Sequence, residues 1–151
     1  MSVKSFIRGA VVVLLCQVVS FGSALAEERA TKEEAKAMAE EAAAYFREHG
    51  AEAAFEAFNT SDAFKDRDLY VFAQALDGVT VAHGGNQALF GRNVISLRDP
   101  SGKAFIQEFV AVEDEAWVSY QWQNPATGGV EDKVSYVINV GDYVLGVGAY
   151  E

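Results

Sequence analysis

The sequence predicts an α+β domain in which helices cover one face of an antiparallel sheet of about five strands. Three observations carry this. Apolar residues recur at three- and four-residue spacing up to Phe58, and from Asp68 onward the pattern changes to runs rich in β-branched and aromatic residues. Short turns join several of those runs, and consecutive strands joined that way are antiparallel neighbours.

Thr31-Lys32-Glu33-Glu34 has the form of a capping box, where the Thr31 hydroxyl accepts from the third helical N–H and Glu34 reaches back to the cap. Ala35, Met38, Ala39, Ala42, Tyr45 and Phe46 then form an apolar stripe, and Gly50 stands where a left-handed cap is expected. This predicts a first helix over Lys32 to His49. A second, short helix follows over Ala51 to Phe58, with Ala53, Ala54, Phe55 and Phe58 apolar, before Asn59-Thr60-Ser61-Asp62 breaks the pattern. Leu69 to Ala75 and Val79 to His83 flank Asp77-Gly78, a strong hairpin signal. After a Gly-rich loop, Lys103 to Val112 carries Phe105, Ile106, Phe109 and Val110 at helical spacing and predicts a third helix. Trp117 to Trp122, Val130 to Val140 and Tyr143 to Tyr150 are the remaining strands, parted by Asn124-Pro125-Ala126-Thr127-Gly128-Gly129 and by Gly141-Asp142.

The N-terminus reads as an export signal over residues 1–26, with residues 27–151 as a single domain. Lys4 and Arg8 supply the positive region, Ala10 to Phe21 the apolar run, and Ser23-Ala24-Leu25-Ala26 the small-residue cleavage site. The run is interrupted by Gln17 and is shorter than the roughly 20 residues of a spanning helix, which favours cleavage over a retained anchor. The expected location is therefore the periplasm or the exterior. Cleavage would remove two of the twelve basic residues and no acidic one, taking the formal charge from −10 to −12. Nucleic acid is excluded as a partner by that charge and by the lack of a basic patch. The single cysteine, Cys16, would leave with the signal, so neither disulfide nor thiol chemistry is expected of the remaining chain. No nucleotide loop, nucleophile elbow, His-Glu-x-x-His motif or calcium loop occurs, and the sequence calls for no cofactor and no metal.

Read in order, Tyr70-Val71-Phe72, Asp77-Gly78, Ala82-His83-Gly84, Leu89-Phe90-Gly91-Arg92-Asn93, Asp99 with Gly102-Lys103, Trp117-Val118-Ser119-Tyr120-Gln121-Trp122, Asn124-Pro125, Lys133-Val134-Ser135-Tyr136-Val137 and Gly146-Val147-Gly148-Ala149-Tyr150 resemble the signature of single Cache domains of the second type. The resemblance runs from about Thr31 to Tyr150. It implies a PAS-like fold, with a long N-terminal helix on the central sheet and a small-molecule pocket on the opposite face. It also implies extracytoplasmic sensing of a short carboxylate such as acetate, propionate, lactate or pyruvate. The chain departs from the pattern at Gly84, where the family often has Pro, and at Glu113-Asp114-Glu115-Ala116, where it often has glycines. It also carries no output module, so signalling is expected to pass through a membrane receptor or kinase partner.

Strand side chains alternate, so Tyr70 with Phe72, Tyr120 with Trp122, and Lys133 with Ser135 each share a face. Lys133, His83, Tyr70 and Tyr120 supply donors for an anion, while Trp122 and Phe72 supply apolar walls. These six positions match the pocket of the resembling family and are the candidate ligand-binding residues. His49 is read as a helix C-terminal cation and Arg92 as a solvated loop residue. No catalytic residue is assigned and the protein is not expected to be an enzyme. Two other readings stay open. One is a small enzyme with a conical α+β cavity, pairing His83 with Asp77 or Asp99 as base and orienting acid. The other is a structural interaction protein whose aromatic face packs on a neighbour or on a second copy, as a homodimer.

Overall fold

The computed structural model of the chain describes residues 28–151; the expected signal segment lies outside the described residues. Three α-helices, α1 (Lys32–His49), α2 (Ala51–Thr60) and α3 (Phe105–Val110), accompany six strands. The strands are β1 (Lys65–Asp66), β2 (Leu69–Ala75), β3 (Thr80–His83), β4 (Glu115–Gln123), β5 (Val130–Asn139) and β6 (Tyr143–Tyr150). The capping box forms: Thr31 Oγ1 accepts from the Glu34 amide at 3.2 Å, and the Glu34 carboxylate accepts from the Thr31 amide at 2.7 Å. Gly50 closes α1 at φ +83°, donating its N–H to the Phe46 carbonyl. Ala35, Ala39, Ala42 and Ala43 are the buried residues of α1, and such small side chains let the helix lie close on β5 and β6.

All strand pairings are antiparallel, in the order β2-β6-β5-β4, with both β1 and β3 also paired to β2. The ladder from Val71↔Val147 to Ala75↔Tyr143 joins β2 to β6, which places the last strand in the middle of the sheet. Helix α3 is shorter than the sequence predicts, and the cause is Asp99. Its N–H donates to the Lys103 carbonyl at 3.0 Å while its Oδ1 accepts from the Lys103 amide at 2.9 Å, which closes residues 99–103 into a turn before the helix.

Strand alternation divides the apolar residues into two layers. Leu69, Val71, Ala73, Tyr136, Ile138, Leu145, Val147 and Ala149 pack with α1 and α2. Tyr70, Phe72, Val118, Tyr120, Val137 and Val144 form the opposite layer with Phe105, Ile106 and Phe109 of α3. On that second face β6 presents Val144, Gly146, Gly148 and Tyr150, and the glycines are required by the neighbours. A Cβ at Gly146 would enter the Phe72 ring, and one at Gly148 would meet Ser135 Oγ and Lys133 Cε. Side chains from β2 and β5 thus lie flat across a bare central strand.

Asp99 also guards the open edge of β4. Its Oδ1 accepts from Ser101 N–H and Oγ–H, and its Oδ2 accepts from the Gln121 amide at 2.9 Å. Burial acts to raise its pKa, but the hydrogen bonds from Ser101, Gln121 and Lys103 prevail and hold the carboxyl down to about 2. The bond from Gln121 occupies one donor of an edge otherwise suited to strand addition.

Two outcomes follow for stability. Asp99→Asn should cost about 1–3 kcal/mol by loss of charge-assisted bonds. Because the folded pKa of about 2 lies below the ordinary 3.8, the contribution is complete above the ordinary value and is lost as pH falls toward 2. Urea melts of the two proteins should therefore differ by a constant amount near neutrality and converge in acid. Gly148→Ala, measured the same way, should cost about 1–3 kcal/mol through overpacking against Lys133 and Ser135.

Candidate functional site

The second face of the sheet holds a buried ammonium. Lys133 on β5 is only 1% exposed, and its aliphatic stem crosses β6 over Gly148. Its Nζ donates to the Tyr70 hydroxyl at 2.8 Å and to the Tyr150 hydroxyl at 3.3 Å, and it lies 4.0 Å and 4.6 Å from the centres of those two rings. Among the described residues no carboxylate forms an ion pair with it. Burial pushes its pKa well below that of an ordinary lysine, and the buried Asp68 opposes this only from a distance. Two phenol oxygens and two π faces surround the amine, and burial among them favours its neutral form until an anion pairs with it.

The phenols are themselves fixed. Tyr150 donates to the Gln123 carbonyl at 2.8 Å, and its oxygen is 3.4 Å from that of Tyr70. Burial raises the pKa of both, so both stay neutral donors or acceptors. Tyr120 is buried beside them with its hydroxyl 2.9 Å from Ser135 Oγ, and burial raises its pKa as well.

His83, at the end of β3, is 5% exposed. Its backbone N–H donates to Asn59 Oδ1 at 2.9 Å, and its ring Nδ1 accepts from the Asn86 amide at 2.9 Å. A ring whose Nδ1 accepts carries its proton on Nε2 when neutral. Burial, aided by the Lys133 charge, pushes the pKa down to about 3, so the ring is neutral near neutral pH. The pairing of His83 with Asp77 or Asp99 is not formed. Asp77 Oδ1 accepts from the Val79 amide in the hairpin turn, and Asp99 is held by its own loop and β4.

Four of the six candidate residues, Phe72, His83, Tyr120 and Trp122, line one cavity between the sheet and α3. Phe105 stacks on Tyr120 at 4.5 Å and 7°, and Phe109 stacks on Phe72 at 5.0 Å. The cavity measures about 20 Å³, room for roughly one water. Tyr70 instead faces an open cleft of about 380 Å³ with Gly85, Asn86, Trp122 and the hairpin turn at Asn124 and Pro125. Its ring adjoins both His83, at 5.0 Å, and the Lys133 ammonium, which joins all six residues into one cluster. Arg92 and His49 are exposed and stand apart from it.

Sequence reasoning misses Tyr150, Phe105 and Phe109 as members of the site and gives Gly146 and Gly148 no role. The Gly-x-Gly spacing on a strand is the available signal, since it marks a face where neighbours approach closely. Phe105 and Phe109 carry only their four-residue spacing, which any buried helix shares.

The profile of the family Single Cache domain 2 matches residues 7–151. The sensor histidine kinase MctS of Rhizobium johnstonii is 33% identical over 88 residues, which are 56% of this chain and 19% of that protein. The chain thus spans about a fifth of the length of that kinase. In structure it is similar to a methyl-accepting chemotaxis protein of Vibrio parahaemolyticus, at 24% identity and a TM-score of 0.69, over 79% of this chain and 87% of the other. It is also similar to a Cache chemosensory domain solved for its recognition of carboxylic acids, at 23% identity and a TM-score of 0.61, over 78% and 86% of the two chains. The layered sheet, the ordered motifs and these likenesses agree: the chain belongs to the single Cache domain 2 family of sensor domains.

Proposed function

We propose that this domain captures a short carboxylate outside the cytoplasm, in the periplasm or as a secreted protein, and passes its bound state to a separate membrane receptor or kinase. The observation that carries the reading is the Lys133 ammonium, fully buried and held by phenols without an ion pair among the described residues. A buried amine is charged only with a counterion beside it, and a ligand carboxylate is the counterion that such a site selects. Neutral His83 adds an Nε2–H donor, and Phe72, Tyr120 and Trp122 wall in a short carbon chain. The structural neighbour that recognises carboxylic acids supports the same choice of ligand. The export reading of residues 1–26 supports the compartment.

A thermal-shift series with acetate, propionate, lactate and pyruvate, against small amines and amino acids as controls, tests this. One or more acids should raise the melting point saturably; at about 100 times Kd the stabilisation reaches about 2.7 kcal/mol. Lys133→Met, which keeps the stem and removes the charge, should abolish the response. Affinity should also fall as pH rises through the lowered Lys133 pKa, because only the ammonium pairs with an anion. An undiminished response in the Met variant, or stabilisation by amines alone, would sink the reading.

A further inference from the structure

Resting on that reading, a further question is how a ligand reaches a cavity with room for one water. The small cavity and the larger cleft at Tyr70 share one wall, Trp122. The same indole also forms the wall of a second cleft beside Arg98, Pro100 and Val130. We infer that Trp122 is the movable partition of this site, swinging to join cleft and cavity and setting the longest carbon chain that can be enclosed.

The neighbours are locked where Trp122 is not. Tyr120 is tied to Ser135 and stacked on Phe105, and Phe72 is seated over Gly146 and stacked on Phe109. His83 is held at its amide and at Nδ1, and Tyr70 by Lys133 and beneath Gly85, where even a Cβ would strike its ring. Trp122 is half-buried, touching Phe105 edge-on at 5.5 Å and His83 at 6.2 Å. Its polar neighbour is the Tyr70 phenol, toward which the indole N–H makes a weak hydrogen bond that favours ionisation there. Rotating a partly exposed ring also breaks less of its packing than moving Phe105 or Phe109, both 2% exposed.

The swing moves a ring from the end of β4, next to the turn at Asn124 and Pro125, so the strand ladder need not break. In the closed position the indole is a wall of the cavity beyond which a longer chain cannot extend. Shortening that wall therefore extends the space along the cleft.

The full chain labelled with 5-fluorotryptophan gives two ¹⁹F signals, assigned with Trp117→Phe, since Trp117 and Trp122 are its two tryptophans. Trp122 should show microsecond-to-millisecond exchange that Trp117, outside the site, does not, and saturating propionate should quench it. A parallel thermal-shift series of unbranched acids from acetate to hexanoate should show the chain-length limit moving up by two or more carbons in Trp122→Ala and by less in Trp122→Phe. The Phe variant serves if the Ala variant does not fold. A rigid Trp122 signal with or without acid overturns the inference, as does an unchanged limit in a folded variant. If Trp122 exchanges but no acid stabilises any of these proteins, the carboxylate reading falls and the movable partition stands.

Discussion

The second face of this sheet is organised by one constraint: a lysine amine lies inside it, so its stem must cross a strand with no side chains in the way. Gly148 supplies the gap for the Lys133 stem, and Gly146 supplies the matching gap for Phe72. The rest follows from keeping that amine satisfied. Tyr70 and Tyr150 both accept from it, Tyr150 is tied to the Gln123 carbonyl, and the aromatic residues of α3 pack over the neighbouring cavity. An ordinary apolar core would not need phenols in those places.

Much of this is legible in the sequence, and the limits have physical causes. Helix α1 is readable to the residue because its start and stop are local chemistry: Thr31 with Glu34, and Gly50. The β2–β3 hairpin is readable from Asp77-Gly78, where Gly78 adopts φ +92° and a Cβ would lie 2.5 Å from that of Ile95. Turn chemistry says nothing of the pairing of β2 with β6, because it joins strands some seventy residues apart. Helix α3 reads too long because Lys103 and Ala104 suit a helix, and only the three-dimensional position of Asp99 shows that the Lys103 amide is already engaged.

For the cluster itself, alternation places Tyr70 and Phe72, Tyr120 and Trp122, and Lys133 on shared faces. It does not say which face is covered by helices. A lysine within a strand reads equally well as a solvated residue, and burial becomes evident only with Gly148 opposite it. Tyr150 is hidden for a similar reason, since an aromatic residue near the end of a strand is common and its bond to Gln123 spans two elements.

The placement of α1 on the other side of the sheet bears on encounter with an anion. Five glutamates against Lys32, Lys36 and Arg47 leave that helix with a formal charge of −2, and the whole chain carries −10. A negative field slows the approach of an anionic ligand and weakens the pull of a lone cation. A packed layer is on the order of 10 Å thick, while the Debye length at physiological ionic strength is about 8 Å. The sheet stands between that helix and Lys133 as an ion-free layer, across which salt screens little. Added salt would mute the repulsion outside and leave the buried ammonium almost untouched, so a rise in ionic strength would quicken capture where most ion-driven encounters slow.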